Sequence, residues 1–560
     1  MTSWTDGYHE YCIIGAGPAG LQMGYYLQRD KRDYVIYEQS DKAGSFFKKY
    51  PRHRKLISIN KVNTGSNNKE FNMRHDWNSL LSDDDRMLFK QFSREMFPHA
   101  DVMTRYLQTF ASHFDLNIQY NTQISDIESI MATGGSTSYF RMKNQEQETL
   151  TCRIVIIATG LWLPNIPRIP GINLTEGYED ISTDPEQYNA KSVLILGRGN
   201  SAFETADAMY DRTNFIHMVG RNRIRLAWET HYVGDLRAVN NGLLDTYQLK
   251  SLDGLLEYDL SDYKVVKKHG KLFLEENVQQ ERHLAEEYDN DPLLMPYDKI
   301  IRCLGFKFDK SIFRNESSVE MNSGRASKYP VIDHDYRSPS VDGLYYAGTI
   351  AHSLDYRLSA GGFIHGFRYS VKRTNEAAGI YQMYSVLGDI IIVDKDRGTF
   401  AYYEEYPIQL LHKFTEVTGA NVTNKGVFVI TLQYGQTFKG PKEDVFRVDR
   451  AATSPRFGHL SNFLHPVIYF YKAMPDDNKM TSRKKRELLP KPDGLHHMVE
   501  DFNTDWSRPV THVIPLRAFI GSMLNVSLAG FSQNECFLFS LSYDSLPQRC
   551  LEYLSTCSKI

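Results

Sequence analysis

The sequence of this 560-residue chain predicts an α/β fold in which two Rossmann-like dinucleotide-binding domains precede an appended C-terminal region. Two observations carry that prediction. A glycine-rich loop occurs twice, at residues 15–20 and 197–202, and each copy directly follows an apolar run typical of a buried β-strand. Each loop also opens a helix-like segment, whose N-terminal amides and positive dipole end suit the pyrophosphate of a dinucleotide.

The first loop has the spacing of a dinucleotide fingerprint. Gly15 permits the tight turn, Gly17 lets the backbone approach a pyrophosphate, and Gly20 lets the helix pack closely on the strand. Pro18 and Ala19 lie between these glycines and complete the candidate cofactor-binding loop. A glycine-rich turn without a ligand is the alternative, and the ordered strand, loop and helix argue against it.

An acidic residue follows the next strand-like run. That run, residues 34–37, ends on Glu38, about 20 residues after the glycines, where a carboxylate suits a ribose with free hydroxyls. We therefore expect FAD in the first domain, with Gln39, Ser45 and Ile124 as further candidate contacts.

The second loop differs in one position. Gly197 and Gly199 keep the pattern, whereas Ala202 replaces the third glycine with a residue that is still small enough for close packing. Asn200 and Ser201 lie between them as further candidate cofactor-binding residues. Two loops in this order predict a protein that holds a flavin and a nicotinamide together and moves electrons between them.

Arginines replace the acidic residue after the second loop. The run 214–219 is followed by Arg221, Arg223 and Arg225. Guanidinium groups at this position indicate a 2′-phosphate, and hence NADPH in preference to NADH. A solvated basic turn is the alternative interpretation.

Two further apolar runs set the predicted domain boundaries. The run 153–160 ends on Thr159 and Gly160, small residues that let a strand pass close to a dinucleotide, and three prolines then predict a stiff crossover. A return strand at 342–349 contains Gly348, another candidate contact. The expected domains are an FAD-binding domain at 1–170 and 305–375, an NADPH-binding domain at 171–304, and the appended C-terminal domain at 376–560.

Bulk properties narrow the function classes. The net charge is −3, which favours neither nucleic acid nor an anionic membrane as a partner. No apolar run reaches the length of a membrane span. The first strand starts too close to the N-terminus to leave room for a signal peptide, so we expect a cytoplasmic protein. The terminal Ser558-Lys559-Ile560 is similar to a peroxisomal tail, which is the minor alternative.

The cysteines predict no redox pair. Six are scattered along the chain without C-x-x-C spacing, so we expect no disulfide framework, no zinc site and no cysteine pair that receives electrons from a flavin. The adjacent His496 and His497 do not predict a metal site either, because their side chains diverge and no third ligand is evident.

The two loops, the run Ala158-Thr159-Gly160 and the Gly-Asn-Ser-Ala form of the second loop resemble the flavin-containing monooxygenase family over roughly the first 375 residues. The resemblance implies an asparagine beside the reactive edge of the flavin. Residues 56–60 match that position, so Asn60 is the first catalytic candidate, with an amide that hydrogen-bonds a flavin C4a-hydroperoxide. Lys61 is the second, as an ammonium near the peroxide or as a solvated surface lysine.

A second resemblance covers nearly the whole chain. The runs 50–61, 231–237 and 359–368 are similar to a family of FAD-dependent oxidoreductase domain-containing proteins of the endoplasmic reticulum that are linked to degradation of misfolded proteins. This sequence lacks the signal peptide and the retention tail of that family. We therefore expect a relative that serves small-molecule metabolism.

Together these features predict a single-component monooxygenase dependent on FAD and NADPH, with molecular oxygen and a small phenolic, indolic or amine molecule as substrates. A flavin-dependent halogenase, in which halide intercepts the oxidised intermediate, is the first alternative. A redox flavoprotein scaffold that binds protein partners is the second. The sequence leaves the oligomeric state open.

Overall fold

The computed structural model describes most of the N-terminal two thirds of the chain and parts of the remainder. The described residues are 7–65, 67, 69–131, 137–221, 224, 236–244, 254–276, 295–354, 356, 360–380, 389–394, 399–403, 408–415, 426–433, 459, 461, 465–482, 488–498, 506 and 512–525. They fall into two compact units. The first unit contains residues up to Thr64 and Met73–Gly379, and the second contains Gly65–Asn72 and the residues from Ile380 onward.

Sixteen strands lie in the described part of the first unit. They are β1 (Tyr8–Ile14), β2 (Tyr34–Tyr37), β3 (Ile118–Gln119), β4 (Ser125–Met131), β5 (Thr137–Lys143), β6 (Thr149–Ile157), β7 (Leu163–Pro164), β8 (Glu176–Gly177), β9 (Ser192–Leu196), β10 (Phe215–Val219), β11 (Leu255–Leu256), β12 (Tyr263–Lys268), β13 (Lys271–Glu276), β14 (Lys299–Arg302), β15 (Phe306–Lys307) and β16 (Leu344–Tyr346).

Seven helices accompany these strands in the described residues up to Ile380. They are α1 (Pro18–Arg29), α2 (Phe46–Lys49), α3 (Lys69–His75), α4 (Ala100–His113), α5 (Asn200–Met209), α6 (Gly242–Leu244) and α7 (Ile364–Ile380). Among the described residues, every helix is too short or too polar to cross a bilayer.

The first sheet forms what we call the first domain. Its parallel core runs β3-β2-β1-β6, and β16 pairs in parallel with the C-terminal half of β6. The antiparallel strands β5 and β4 extend the N-terminal half of β6. Helix α1 connects β1 to β2 and packs on one face, which gives the β-α-β arrangement of a Rossmann-like domain. This confirms the predicted fold of the N-terminal part.

The strands of the first domain are apolar because both of their faces are covered. Residues Tyr11 to Ile14 of β1 are at most 5% exposed, as expected for a parallel strand between two layers. Tyr11 and Ile13 pack under α1 and α4, whereas Cys12 and Ile14 face the opposite core. Both faces of β1 are therefore buried where the strand ends at the glycine loop.

The second sheet forms what we call the second domain. It is entirely parallel, in the order β11-β10-β9-β14-β8. Helix α5 follows β9 and contributes buried Ala202, Phe203 and Ala206 to its core. The antiparallel hairpin β12–β13 packs with residues of β9, β10 and β14 in one core, and the two-stranded pair β7–β15 joins the chain entering this domain to the chain leaving it. The second predicted Rossmann-like domain is thus also confirmed.

The second unit is built differently. Its described strands are β17 (Asp389–Asp394), β18 (Thr399–Tyr403), β19 (Val427–Gln433), β20 (His465–Tyr471) and β21 (Gly494–His497), and its described helices are α8 (Asp477–Ser482) and α9 (Ile514–Leu524). β17 and β18 form an antiparallel pair, and β19, β20 and β21 form an antiparallel sheet.

The structure corrects one prediction about the cysteines. Cys12 on β1 and Cys152 on β6 are joined by a disulfide bond, and both residues are fully buried. The sequence did not predict a cysteine pair because the two residues are 140 positions apart and meet only when β1 and β6 lie side by side. Of the cysteines in the described ranges, Cys303 alone is free, and it is buried.

Candidate functional site

The first glycine loop has the geometry of a phosphate-binding turn. Gly15 adopts a φ of +104°, which favours glycine, and a Cβ on Gly20 would collide with the carbonyl oxygen of Gly15. Around Gly17, by contrast, a Cβ would meet nothing within 4 Å. Helix α1 then begins at Pro18 without a side-chain cap. Its first backbone amides therefore face the open side of the loop, as an anion requires.

Glu38 is fixed at the end of β2 by three hydrogen bonds. Its carboxylate accepts the N–H of Ala16 at 2.8 Å, the N–H of Ser40 at 3.0 Å and the hydroxyl of Ser45 at 3.2 Å. Glu38 itself is only 4% exposed. A carboxylate oxygen accepts more than one hydrogen bond, so this group retains capacity for ribose hydroxyls. Ser45 thus holds Glu38, whereas Gln39 is exposed.

The ends of β6 and β16 complete this face of the first domain. The Thr159 hydroxyl is buried and has no hydrogen-bond partner among the described residues, and Gly160, with a φ of +69°, is open on its Cβ side. A Cβ on Gly348 would lie 2.5 Å from the Cβ of Ala19, so the return strand closes tightly on the first turn of α1. Ile124 packs in the opposite core, which assigns its side chain a packing role.

These observations fit a bound FAD. The unpartnered Thr159 hydroxyl needs a polar partner, because a buried hydroxyl without one is costly. The open sides of Gly17 and Gly160 leave room for a ligand at the backbone. The held carboxylate of Glu38 lies at the position of a ribose-binding acid.

The turn of the second loop is equally tight, but its first glycine lies against the chain at the end of β14. Gly197 adopts a φ of +119°, and a Cβ there would collide with the carbonyl oxygen of Cys303 at the end of β14. Gly199 precedes α5 and offers no side-chain cap, so the first amides of α5 face the loop. Ala202 is fully buried in the core of the second domain. Ser201, in the first turn of α5, is half-buried.

Asn200 fastens a distant segment to this loop. Its Oδ1 accepts the backbone N–H of Arg237 at 2.9 Å and the side-chain N–H of Asn240 at 3.0 Å. The segment 236–240 is therefore fixed beside the N-terminus of α5. The spacing of the loop alone did not predict this second role of Asn200.

The basic residues near β10 are only partly those that the sequence predicted. Arg221 is 66% exposed and lies 4.0 Å from Asp259, and Arg223 and Arg225 fall outside the described residues. Arg198, within the loop itself, was not predicted. Its side chain is 5% exposed, and its guanidinium donates to the carbonyl of Gly220 at 2.8 Å. Burial lowers the pKa of Arg198. Two guanidinium groups thus flank the end of β10.

Asn60 is buried and its amide hydrogens are already used. Its Nδ2 donates to the carbonyl of Ser93 at 2.8 Å and to that of Glu95 at 3.2 Å. Only its Oδ1 is left to face a ligand, as an acceptor. Lys61 is exposed, as the solvated alternative predicts.

The segment 76–79 packs against Asn60 and was not predicted as part of the site. Asn60 and Asp76 form an isolated β-bridge, and Asn78 donates from its side chain to the carbonyl of Ile59 at 2.9 Å. Arg368 of α7, which is 1% exposed, anchors the segment by donating to the carbonyls of Ser79 and Met73, each at 2.8 Å.

Three rings connect the segment 76–79, which packs against Asn60, with Arg237, whose segment is fixed beside the second loop. Trp77 stacks on His365 with ring centroids 5.1 Å apart, and His365 stacks on Phe363 at 5.8 Å. The Arg237 guanidinium lies 4.4 Å above the Phe363 ring. We call Trp77, His365 and Phe363 the aromatic bridge. All three are half-buried.

The aromatic bridge brings together residues that the sequence treats separately. Phe363 and His365 lie in a run that carried a family resemblance, whereas nothing in the sequence marked Trp77. Within the described ranges, no group of three His, Cys, Asp or Glu side chains is placed to hold a metal ion.

Comparisons with known proteins agree with this arrangement. A family model described as pyridine nucleotide-disulphide oxidoreductase matches residues 12–348, from β1 to the glycine that follows β16. The chain is 46% identical to FAD-dependent oxidoreductase domain-containing protein 2 of Mus musculus, across 97% of this chain and 88% of the mouse protein. It is 25% identical to flavin-containing monooxygenase 1 of Homo sapiens, across 57% of this chain and 66% of the human protein.

A solved structure shows the same fold. The flavin-containing monooxygenase from Stenotrophomonas maltophilia superposes with a TM-score of 0.50 and covers 67% of this chain and 100% of its own. Its sequence identity is 16%, so this likeness concerns the fold alone.

Proposed function

Because this chain belongs to the pyridine nucleotide-disulphide oxidoreductase family, as an FAD-dependent oxidoreductase related to flavin monooxygenases, we propose that it is a single-component monooxygenase that uses NADPH and molecular oxygen. One observation carries the proposal. Asn200 of the second glycine loop is bonded to Arg237, and Arg237 contacts the aromatic bridge. Through Trp77 the bridge reaches the segment 76–79 beside Asn60, so the loop proposed to bind NADPH is connected to the first catalytic candidate.

Each part of the chain has a distinct task in this proposal. Bound FAD supplies two-electron chemistry with a nicotinamide and with oxygen. The amides at the start of α1 and the carboxylate of Glu38 bind and orient it. The amides at the start of α5 bind the NADPH pyrophosphate, and Arg198 and Arg221 distinguish its 2′-phosphate.

The pocket side chains position the substrate. The Asn60 Oδ1 accepts a hydrogen bond from an O–H or N–H group at the reactive centre, because both amide hydrogens of Asn60 are already donated to backbone carbonyls. The half-buried rings of the aromatic bridge stack on a flat molecule and exclude water around it. A small phenolic or indolic compound, or an amine with an aromatic group, has the matching shape and polarity.

The Cys12–Cys152 disulfide is not placed to receive electrons from the flavin and pass them to a partner thiol. Both residues are fully buried, and their side chains face the core opposite α1. A thiolate relay requires sulfur atoms that a partner thiol can reach. Oxygen is therefore the better acceptor for electrons that leave the flavin.

Stopped-flow reduction and oxygen uptake test the proposal. The FAD-loaded protein is reduced anaerobically with NADPH and mixed with oxygen in the presence of a panel of phenols, indoles and amines. We expect NADPH oxidation to accelerate with one class of compound and to yield its oxygenated product. Slow NADPH oxidation that no compound accelerates, together with stable protein partners in a pull-down, would instead favour the scaffold function.

The same assay separates halogenation. Lys61, the candidate ammonium near the peroxide, is exposed, so we expect oxygenated and not brominated product when bromide is added. A brominated phenol or indole would establish the halogenase function in its place.

A further inference from the structure

The two dinucleotide-binding domains share a buried aromatic contact. Tyr50, which follows α2 of the first domain, stacks on Tyr178 of the second domain with ring centroids 5.8 Å apart and planes at 20°. Tyr50 also meets the ring of Phe306, on β15, at 4.9 Å. Tyr50 is 7% exposed and packs in the hydrophobic core of the second domain. A residue of one domain is thus a core residue of the other.

A buried hydrogen-bond chain runs through the same contact. The Tyr178 hydroxyl donates to the carboxylate of Glu204 on α5 and accepts the backbone N–H of Arg52 at 2.8 Å. The Arg52 guanidinium donates to the carbonyl of Ile181 at 2.5 Å. Tyr178 and Glu204 are 5% and 8% exposed. We call Tyr50, Arg52, Tyr178, Glu204 and Phe306 the interdomain clamp.

Opening the clamp is costly for two reasons. Two tyrosine rings and a phenylalanine ring would lose their mutual burial. The Tyr178 hydroxyl would lose the backbone N–H of Arg52, and the carbonyl of Ile181 would lose the Arg52 guanidinium, while both stay largely enclosed by the second domain. The exposed ion pair between Lys49 and Asp180, at 3.6 Å, spans the same junction and adds little by comparison.

The clamp is tied directly to the nicotinamide loop. Glu204 lies on the first turns of α5, four residues after Asn200, so the helix that presents amides to the NADPH pyrophosphate also carries the clamp carboxyl. A shift of the first domain relative to the second would pull on α5 through Tyr178.

We propose that the interdomain clamp holds the two dinucleotide-binding domains in one relative orientation, with Tyr178 and Glu204 as positioning residues, so that NADPH meets the flavin without domain rotation. The orientation follows from the clamp alone, and its consequence for hydride transfer rests on the function proposed above.

The clamp contains one group that titrates near neutral pH. Burial raises the pKa of Glu204 to about 7, against the opposing effects of Tyr178, Arg52 and Arg54. The buried thiol of Cys303 also faces this cluster. Because burial disfavours the charged carboxylate, the clamp is strongest when Glu204 is protonated and weakens as the pH rises through 7.

Distance measurement between spin labels tests the proposal without any need for turnover. The labels are attached at Glu146→Cys in the first domain and Asp211→Cys in the second, both exposed positions, with Cys536, Cys550 and Cys557 replaced by serine. At pH 6 we expect one narrow distance distribution that NADP⁺ leaves in place. Two populations in the otherwise unaltered protein, or a shift on adding NADP⁺, would overturn the proposal.

Variants identify the contacts responsible. Tyr178→Phe and Glu204→Ala should broaden the distribution or add a second population. Glu204→Gln, which mimics the protonated carboxyl, should keep the narrow distribution at pH 6 and at pH 8.5. The distance distribution of the parent protein should broaden at pH 8.5. The control Tyr188→Phe removes a buried hydroxyl that donates to the carbonyl of Ser182 within the second domain. It should give the same distance distribution as the parent protein.

The outcomes separate this proposal from the proposed function. A distribution that none of the clamp variants alters would show that the clamp does not set the orientation, whatever the enzyme's activity. A protein that holds one orientation through these residues yet oxygenates no compound would support the clamp and contradict the monooxygenase.

Discussion

Asn200 accepts the backbone N–H of Arg237 at 2.9 Å, and this hydrogen bond fixes the segment from which Arg237 covers the Phe363 ring. A residue of the second glycine loop thereby reaches the aromatic bridge at the start of α7. NADPH bound on the loop would lie beside a segment whose position depends on Asn200. Changes at Asn200 should therefore affect both cofactor binding and the substrate pocket.

Asn200→Ala should raise the KM for NADPH about fivefold, because loss of the Oδ1 acceptor costs about 1 kcal/mol and releases the segment 236–240. FAD content should stay constant, since Asn200 is not part of the first loop. Steady-state kinetics and the flavin-to-protein absorbance ratio give the two values. Asn315→Ala, at an exposed cap in another part of the first unit, is the control. An unchanged KM would show that Asn200 does not organise this site.

Arg221→Ala and Arg198→Ala should each reduce the preference for NADPH over NADH. Loss of one charge-assisted contact to a 2′-phosphate costs about 1.5–3 kcal/mol, so we expect at least about a tenfold fall in the ratio of kcat/KM values. Arg212→Ala is the matched control, because Arg212 pairs with Glu186 on the surface. If both variants keep the ratio of the parent protein, the arginines near β10 do not select the cofactor.

Asn60→Ala should uncouple NADPH oxidation from oxygenation. The variant removes the Oδ1 acceptor and leaves the carbonyls of Ser93 and Glu95 without their donor, which should also lower the free energy of unfolding by about 1–3 kcal/mol. Hydrogen peroxide and product are measured per NADPH consumed. Glu95→Gln, which keeps the backbone carbonyl, should retain the coupling of the parent. Full coupling in Asn60→Ala would remove Asn60 from the reaction.

Acid should destabilise the protein through buried histidines. Burial lowers the pKa of His352 and of His53 to about 4. Neither ring nitrogen of His352 has a partner among the described residues. The unfolded chain binds protons near pH 6.5 and the folded protein only near 4, so stability falls as the pH drops between these values.

The histidine contribution is measurable in a single variant. His352→Phe should recover about 2 kcal/mol of the stability lost between pH 7 and pH 5, because phenylalanine fits the aromatic surroundings and does not titrate. Urea unfolding at the two pH values gives the difference. His269→Phe, at an exposed turn, should recover nothing. Equal losses in all three proteins would refute the assignment.

In contrast to the histidines, Glu204 should destabilise the protein as the pH rises. Its pKa in the folded protein is about 7, against 4.5 for an unperturbed glutamate, so its stabilising contribution is complete at low pH and is lost as the pH rises through 7. The protein should lose about 2 kcal/mol between pH 5 and pH 8 that Glu204→Gln retains. Urea unfolding of both proteins tests this, and an identical pH dependence would contradict it.

The sequence predicted those features that depend on local spacing. Gly20 lies against the carbonyl oxygen of Gly15, five positions away, and Glu38 ends the strand next to the loop. The α/β fold with two parallel sheets followed from these patterns. The choice of NADPH, the cytoplasmic location and the roles of Asn60 and Lys61 stay predictions.

Long-range contacts were beyond the sequence. Cys12 and Cys152 meet across β1 and β6, and Trp77 reaches His365 from a segment 288 positions away (365 − 77). Tyr50 and Tyr178 likewise stack across two domains. Such pairings depend on how strands and domains assemble, and no motif spacing encodes them. The hydrogen bonds that Asn60 donates to the carbonyls of Ser93 and Glu95 are likewise contacts that no motif spacing predicts.

The origin of the oxygen atom in the product is the most direct test of the monooxygenase proposal. The FAD-loaded protein is supplied with NADPH, the accelerating compound and oxygen-18 gas, and the product is analysed by mass spectrometry. We predict one oxygen-18 atom in each product molecule and one NADPH consumed for each. NADPH oxidation whose electrons all appear as hydrogen peroxide, with no labelled product from any phenol, indole or amine, would contradict the proposal.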